Sequence, residues 1–551
     1  MASIKLSVTI AANLAAVYPA AARKRIDAAL KCWIAAEAKR GITTVHLALD
    51  DAAAMTAQGV AAIKPPFSAE KAKRALDALC KKLAPDYVCL FGGHQIVPMF
   101  IVRNPSFSPT GDDDKDVPTD NPYACSTAYS AKARKSYLMP DRVLGRITDL
   151  PGDGDPAWLV DYLQRAAAWQ PRPASFYASP YVLVCEEWKA AGAACMQYIG
   201  LAGNELQQSP PTLDTSAAAR SRLERTLHMI KCHGAALDPR FYGQQGSSYP
   251  EALRSSSLPA RIKEGTLAGS MCCYGAQAYS PKDKAAQLGE LWPIANTYLR
   301  HGAVGFAGAT RIAWVGLDQM QCADWIVAAH LKSALGGASL GRAFLEAKQD
   351  YVKYLTSQGQ QPDTADEKTL LEFVLLGDPA LHPVANGPIV ATTTRGASPT
   401  RAALPSSPLL QQERGQRRVV RAALATQIRR ELPERHAAVA KAAQSKKIFD
   451  AVSAMLSSAD AKALGPSAVQ VERVVSRTPV PAPRVTPATR GPRAAGAATP
   501  AVSNGPRESL EYYWTARSDA PGSPGPAQIR LLKVETDTRG RIVRTRLLHS
   551  A

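Results

Sequence analysis

Leu227-His228-Met229-Ile230-Lys231-Cys232-His233-Gly234 is an apolar, strand-like run that stops on His-Gly. Further along, Thr266-Leu267-Ala268-Gly269-Ser270-Met271-Cys272-Cys273-Tyr274-Gly275-Ala276 repeats the pattern and stops on Cys-x-Gly. Both runs are short, apolar and bounded by glycine, the signature of a buried strand rather than of an amphipathic helix. If they are parallel neighbours in one sheet, their C-terminal ends lie side by side and the His and Cys side chains open onto one cleft.

The flanking sequence supports that sheet. Helix-like Pro19–Lys39 precedes strand-like Thr43–Leu49, and helix-like Ser68–Lys82 precedes Asp86–Phe91. Tyr181–Cys185 and Ala303–Ala307 are further buried strands with helical patterns between them. Alternation of this period predicts an α/β fold. Two α/β subdomains, 1–170 and 171–385, are expected to meet near Pro171–Ser175 and to form one unit. Beyond it, 386–507 reads as a basic linker, helical over Leu409–Leu456 and Pro/Ala-rich and disordered over Thr478–Pro506. Alternation in Ile529–Val534 and Ile542–Leu548 around Asp537-Thr538-Arg539-Gly540 predicts a hairpin within a small β module, 508–551, that docks elsewhere.

Charge separates the same regions. Residues 391–551 hold 26 basic and 11 acidic residues, a net of +15, whereas the preceding 390 carry only +4 of the total of +19. Such a basic segment suits an acidic partner or nucleic acid through counterion release, although few aromatics are interleaved for base stacking. No apolar run approaches the roughly 18 residues of a membrane span, so an integral membrane protein is excluded. All ten cysteines precede residue 323 and none forms Cys-x-x-Cys, which argues against a zinc site or a disulfide framework. Their use suits a reducing, cytoplasmic setting. Met1–Ala22 has the outline of a secretory leader, but Asn13 and Tyr18-Pro19 interrupt it and Pro19 fits the first turn of a helix.

A Cys–His pair has a definite chemistry. A free thiol has a pKa near 8.5, so a neighbouring imidazole that takes its proton generates the nucleophile and later protonates the leaving amine. A glycine after the His lets a backbone N–H approach a reacting carbonyl, as an oxyanion hole requires. His-Gly followed by Cys in this order resembles the caspase-like cysteine peptidases.

From about Ala48 to Pro383 the chain resembles more narrowly the gingipain-like branch. The supporting segments are Asp86–Gly93, Thr119-Asp120-Asn121-Pro122-Tyr123, Met139–Ile147 with its Pro140-Asp141 and Gly145-Arg146, and Leu376-Gly377-Asp378-Pro379-Ala380-Leu381. The resemblance implies a caspase/gingipain-like sheet flanked by helices and a cysteine endopeptidase without a cofactor, acting on protein or peptide. Its catalytic pair would be Cys273 and His233, with Gly234 in the oxyanion hole. The nucleophile is ambiguous by one position: Cys-x-Gly spacing selects Cys273, which we prefer, and Cys-x-x-Gly selects Cys272. The resemblance also implies an acidic residue that favours Arg or Lys before the cut, a place that Glu186 or Glu187 would fill. Either equally suits the start of the helix at Trp188. The alternative is a catalytically silent scaffold whose basic tail recruits partners.

Other motifs read as structural. Gly337-Ala338-Ser339-Leu340-Gly341 matches a serine-hydrolase pattern, but follows a helix, so Ser339 is expected to cap the next one. Asp112–Asp116 is an acidic loop without EF-hand spacing and reads as solvated, with no metal site expected. His46, His228 and His330 read as core residues, and His94 as a loop residue.

Overall fold

The computed structural model describes residues 3–109, 111–131, 133–201, 206–211, 221–283, 291–358, 360–385, 434–438, 442–465, 470–476, 507–518 and 528–551. The main sheet is built from β1 (Ser3–Thr9), β2 (Ile42–Ala48), β3 (Tyr87–Phe91), β4 (Leu144–Ile147), β5 (Tyr181–Cys185), β6 (Gln207–Ser209), β7 (Leu227–Lys231), β8 (Leu267–Ser270) and β9 (Gly305–Ala309). After a two-residue strand of another sheet, β10 (Trp314–Val315), it is completed by β11 (Phe373–Gly377). The order is β2-β1-β3-β4-β11-β9-β8-β7-β5-β6.

Neighbours are parallel except β9 and β11, which run antiparallel. One half of the sheet therefore points against the other, but β7 and β8 end at the same edge, with Ile230 opposite Ser270. The fold is the mixed α/β sheet flanked by helices that the sequence predicted. The sheet is continuous across residue 170, because β11 lies between β4 and β9.

β1 went unassigned in the sequence, where residues 1–22 resembled a leader. It is an interior strand paired with β2 and β3. Its Lys5 is fully buried and its ammonium bonds Asp378 at 2.6 and 2.8 Å and also pairs with Glu37. Trp33 Nε1 donates to the same Asp378 carboxylate at 3.1 Å. The Gly-Asp-Pro segment thus ties together the two ends of the sheet-forming chain. Arg146 and Asp120 form a second buried pair, two parallel bonds of 2.8 and 2.6 Å, while Arg146 also donates to the carbonyls of Gly92 and Val97. These motif residues hold strand ends rather than chemistry. Ser339 Oγ accepts the Arg342 N–H at 3.3 Å and caps the helix Leu340–Ser357, so the hydrolase-like pattern is a helix start. Asp112 is buried against Lys368 and Asn104, not solvated.

A second sheet is antiparallel throughout: β12 (Glu434–Ala438), β13 (Gln470–Ser476), β14 (Arg507–Ser518), β15 (Gln528–Asp537) and β16 (Ile542–Ser550), with β10 completing the order β10-β16-β15-β14-β13-β12. This corrects the boundary expected at 507/508. Two strands come from 434–476, a stretch read as linker because its many Arg and Ala mimic a helical pattern. Within the expected helix Leu409–Leu456, residues 434–438 are strand and only Ala442–Ser453 is helical among the described residues. Leu409–Pro433 and Thr478–Pro506 lie outside those residues. The expected hairpin is present, its turn held by Asp537 Oδ1, which accepts the N–H groups of Arg539 and Arg541, both at 2.9 Å.

Both faces of the second sheet are covered. Tyr512, Trp514, Leu532 and Val534 pack on Ile448, Phe449 and Val452 of the helix, whereas Tyr513, Leu531, Leu548 and Ala551 join the main core. Buried charges complete the junction. Arg546 bonds Asp363 at 2.8 Å and Asp366 at 3.0 Å, and Lys533 bridges Asp363 and Glu511. Among the described residues no helix is long and apolar enough to cross a membrane.

Burial holds four histidines neutral. It lowers His46 and His228 to about 4 and His233 and His330 to about 3. Folded-state pKa values below the unfolded value mean that the unfolded chain binds more protons between these values and about 6.5. Their contribution is therefore full above about pH 6.5 and is lost as pH falls from there towards 3, by about 1.4 kcal/mol per pH unit for each group. Urea midpoints measured from pH 8 to pH 4.5 are expected to fall below pH 6.5. A flat profile would contradict the burial argument.

Candidate active site

The chain beyond β7 turns through Cys232 into the short strand His233–Gly234, which pairs with Arg240–Tyr242. The chain beyond β8 turns tightly through Met271–Gly275. Tyr274 adopts a left-handed φ of +56°, and the Gly275 N–H closes the turn on the Cys272 carbonyl at 3.1 Å. A Cβ on Gly234 would lie 2.0 Å from the Cys273 carbonyl oxygen, so only glycine lets the two turns touch. The sheet brings together His233, Gly234, Cys272 and Cys273, all buried.

The two thiols face different partners. Cys272 Sγ accepts the Cys232 N–H at 3.3 Å and packs towards β7. Cys273 Sγ accepts the Ala313 N–H at 3.2 Å, on the segment leading into β10. The Cys273 N–H donates to the backbone oxygen of Ala551 at 2.5 Å. Burial pushes the Cys272 thiol up to about 12 and the Cys273 thiol well above the ordinary range. Burial thus favours the neutral form of both thiols and of the His233 imidazole.

His233 lies against Trp188 and Tyr249, with ring centroids 4.4 and 5.1 Å away. Its Nε2 is 2.7 Å from Gln244 Oε1. Gln244 donates its own amide to the Gly246 carbonyl at 3.0 Å, which fixes its oxygen as the acceptor. His233 Nε2 must then carry the proton, leaving Nδ1 as the basic nitrogen. The nearby Ser550 backbone and Gln244 both favour the protonated imidazole, but burial outweighs them.

Gln244 was missed in the sequence. It lies 11 residues beyond His233 in a polar, Gly-rich loop, and only the antiparallel return of Arg240–Tyr242 carries it back. Gln244→Leu is expected to strand a buried imidazole N–H, a cost of about 1–3 kcal/mol, and to release the tautomer. Peptide turnover should fall mainly in kcat with KM little changed, and Gln244→Glu should restore part of it. An unchanged kcat would remove Gln244 from the site.

Glu186 is half-buried and Glu187 exposed, both in the turn that opens the helix Lys189–Ile199, as the structural reading expected. Glu187 Oε1 accepts the Gly246 N–H at 2.9 Å, and its carboxylate feels the charges of His549 and Arg530.

No curated protein matches the chain. A solved structure described as "Structure of Protease" aligns at 14% identity over 73% of this chain and 83% of that one, with a TM-score of 0.48. The Saccharomyces cerevisiae separase–securin complex aligns at 13% identity over 43% of this chain and 14% of that one, with a TM-score of 0.27. The model of peptidase family C25 matches residues 251–384, a span that includes both cysteines and begins beyond His233. Over residues 251–384 the chain therefore matches peptidase family C25, the gingipain family of cysteine peptidases.

Proposed function

We propose that the protein is a cysteine endopeptidase in which Cys273 is the nucleophile and His233 its proton-transfer partner. The observation that carries this reading is the backbone oxygen of Ala551, which accepts the Cys273 N–H at 2.5 Å where the Cys273 turn touches Gly234, the residue after His233. A donor so placed would stabilise the oxyanion formed when a thiolate adds to a peptide carbonyl there, by about 3 kcal/mol. His233 Nδ1 would take the thiol proton as the Cys273 sulfur attacks and return it to the amine that leaves. Water would then release the acyl group. The Nε2–H bond to Gln244 keeps the ring in the required tautomer through both proton transfers. Gly234 serves by close approach and would offer its N–H as a second oxyanion donor.

The selectivity for Arg or Lys expected through Glu186 or Glu187 is placed by this reading two residues further from the cut. Glu187 lies within electrostatic range of His549, two residues before Ala551, so its charge would favour a basic side chain at the third position before the cut. A reducing compartment fits ten cysteines of which nine are buried.

A peptide library, incubated with the full chain and with a chain lacking residues 549–551, tests the reading. Cleavage with a basic preference three residues before the scissile bond, reduced by Glu187→Gln, is expected. No cleavage by either chain would favour a silent scaffold.

A further inference from the structure

Strand β16 does more than close the second sheet. It pairs antiparallel with β10, Ser550 opposite Trp314 and His549 opposite Val315. Ala551 continues the ladder: its N–H donates to the Ala313 carbonyl at 3.0 Å, and its backbone oxygen accepts the Cys273 N–H at 2.5 Å. The Ser550 backbone lies near enough to the His233 imidazole to favour its protonated form. Ser550 is 1% exposed and Ala551 not at all.

These are the contacts an extended peptide needs on the acyl side of a cut. It adds as a strand to an open edge, anchors the N–H of the residue before the cut, and presents that residue's carbonyl to the nucleophile and its donor. We propose that His549-Ser550-Ala551 is an intramolecular pseudosubstrate, seated as a substrate would be and blocking Cys273 until it is displaced. The inference rests on the peptidase reading and adds to it a means of control and a substrate class. Because the Ala551 side chain is wholly enclosed, the residue before the cut must be small.

The rest of the second sheet acts as the latch. Arg546, four residues before Ser550, donates to Asp363, Asp366 and the Gln321 side chain, and Lys533 on the neighbouring strand also reaches Asp363. Ser550 Oγ accepts the Ile529 N–H at 2.9 Å. His549 is flanked by Gln528 and Asp460. A segment held this firmly meets the cleft at an effective concentration in the millimolar range, above that of most free peptides.

Labelling of Cys273 by iodoacetamide, followed by mass spectrometry, tests the block in three versions of the full-length fold: the natural sequence, removal of residues 549–551, and Ala551→Trp. Near-ultraviolet circular dichroism checks that each is folded. The natural sequence should label slowly and the other two at least tenfold faster. Hydrogen exchange gives a readout that needs no variant: the Cys273 amide should be protected in the natural sequence. Equal labelling rates in folded variants, or rapid exchange at that amide, would overturn the proposal. Once unseated, the protein should cleave peptides with Ala before the scissile bond at least tenfold faster than those with Arg, and the reverse order would overturn the assigned substrate class. Fast labelling without hydrolysis of any peptide would sink the peptidase reading instead, while leaving the seating of the strand established.

Discussion

Cys273→Ala, made in the chain lacking residues 549–551, is expected to reduce peptide hydrolysis to background, a loss of at least about a thousandfold. Cys272→Ala should stay within about tenfold, or 1.4 kcal/mol of barrier. The asymmetry follows from where each residue meets its neighbours. The Cys273 amide already holds the Ala551 backbone oxygen, and its sulfur accepts the N–H of Ala313, whose own carbonyl takes the Ala551 N–H. Cys272 turns its sulfur into the sheet, where it accepts the Cys232 N–H. Removing that sulfur takes away one weak bond and a small buried volume, which perturbs packing more than chemistry. Initial rates on one good peptide, with protein concentration fixed by absorbance, decide between the two. If the losses are reversed, the nucleophile is Cys272, and equal activity in both variants would remove the Cys–His mechanism.

Asp378→Ala should have the largest effect on stability. Asp378 accepts two bonds from Lys5, one from Trp33 Nε1 and one from the Ala380 N–H, with no solvent contact. Its pKa is held below the usual carboxylate range chiefly by Lys5, against the opposing effect of burial. Taking Asp378 out of this buried cluster leaves Lys5 with Glu37 alone and strands the Trp33 N–H, a cost of about 3 kcal/mol. The exposed pair Lys353–Asp350 is the control, since half-exposed partners in water contribute no more than about 1 kcal/mol. Urea unfolding of Asp378→Ala and Asp350→Ala should therefore give a large and a negligible shift in midpoint. Because a matched replacement of all the charges can recover the cost, Lys5→Met and Asp378→Leu combined with Glu37→Gln should be less damaging than Asp378→Ala alone. Similar shifts for Asp378→Ala and Asp350→Ala would mean that water reaches the Lys5 site.

The legibility of the sequence followed the range of the interactions. Tyr181–Cys185 was read to the residue, and β7 and β8 to within two, because an apolar run bounded by turns is a local signal. That His233 and Cys273 stand at the ends of buried runs was legible for the same reason. β1 shows the limit. Its Ile4, Leu6 and Val8 alternate at strand period with Lys5, Ser7 and Thr9, a pattern that by itself fits one face in water. Lys5 and Ser7 are buried, and the group that makes Lys5 tolerable is 373 residues away.

What the residues determined by themselves was the class of fold, the shared edge of the His and Cys turns, and the alternating strands of the last 25 residues. Only the tertiary structure decided the partner of each edge. Period-two alternation says that Ile542–Ser550 is a strand but carries no label for the strand beside it, since backbone hydrogen bonds are the same for every sequence. That choice was made by Arg546, Lys533 and the apolar residues around them, whose counterparts Asp363 and Asp366 stand some 180 residues earlier. The same pairing places Ala551 on the Cys273 amide, so the state of the cleft is set by a contact between segments that the linear sequence keeps far apart.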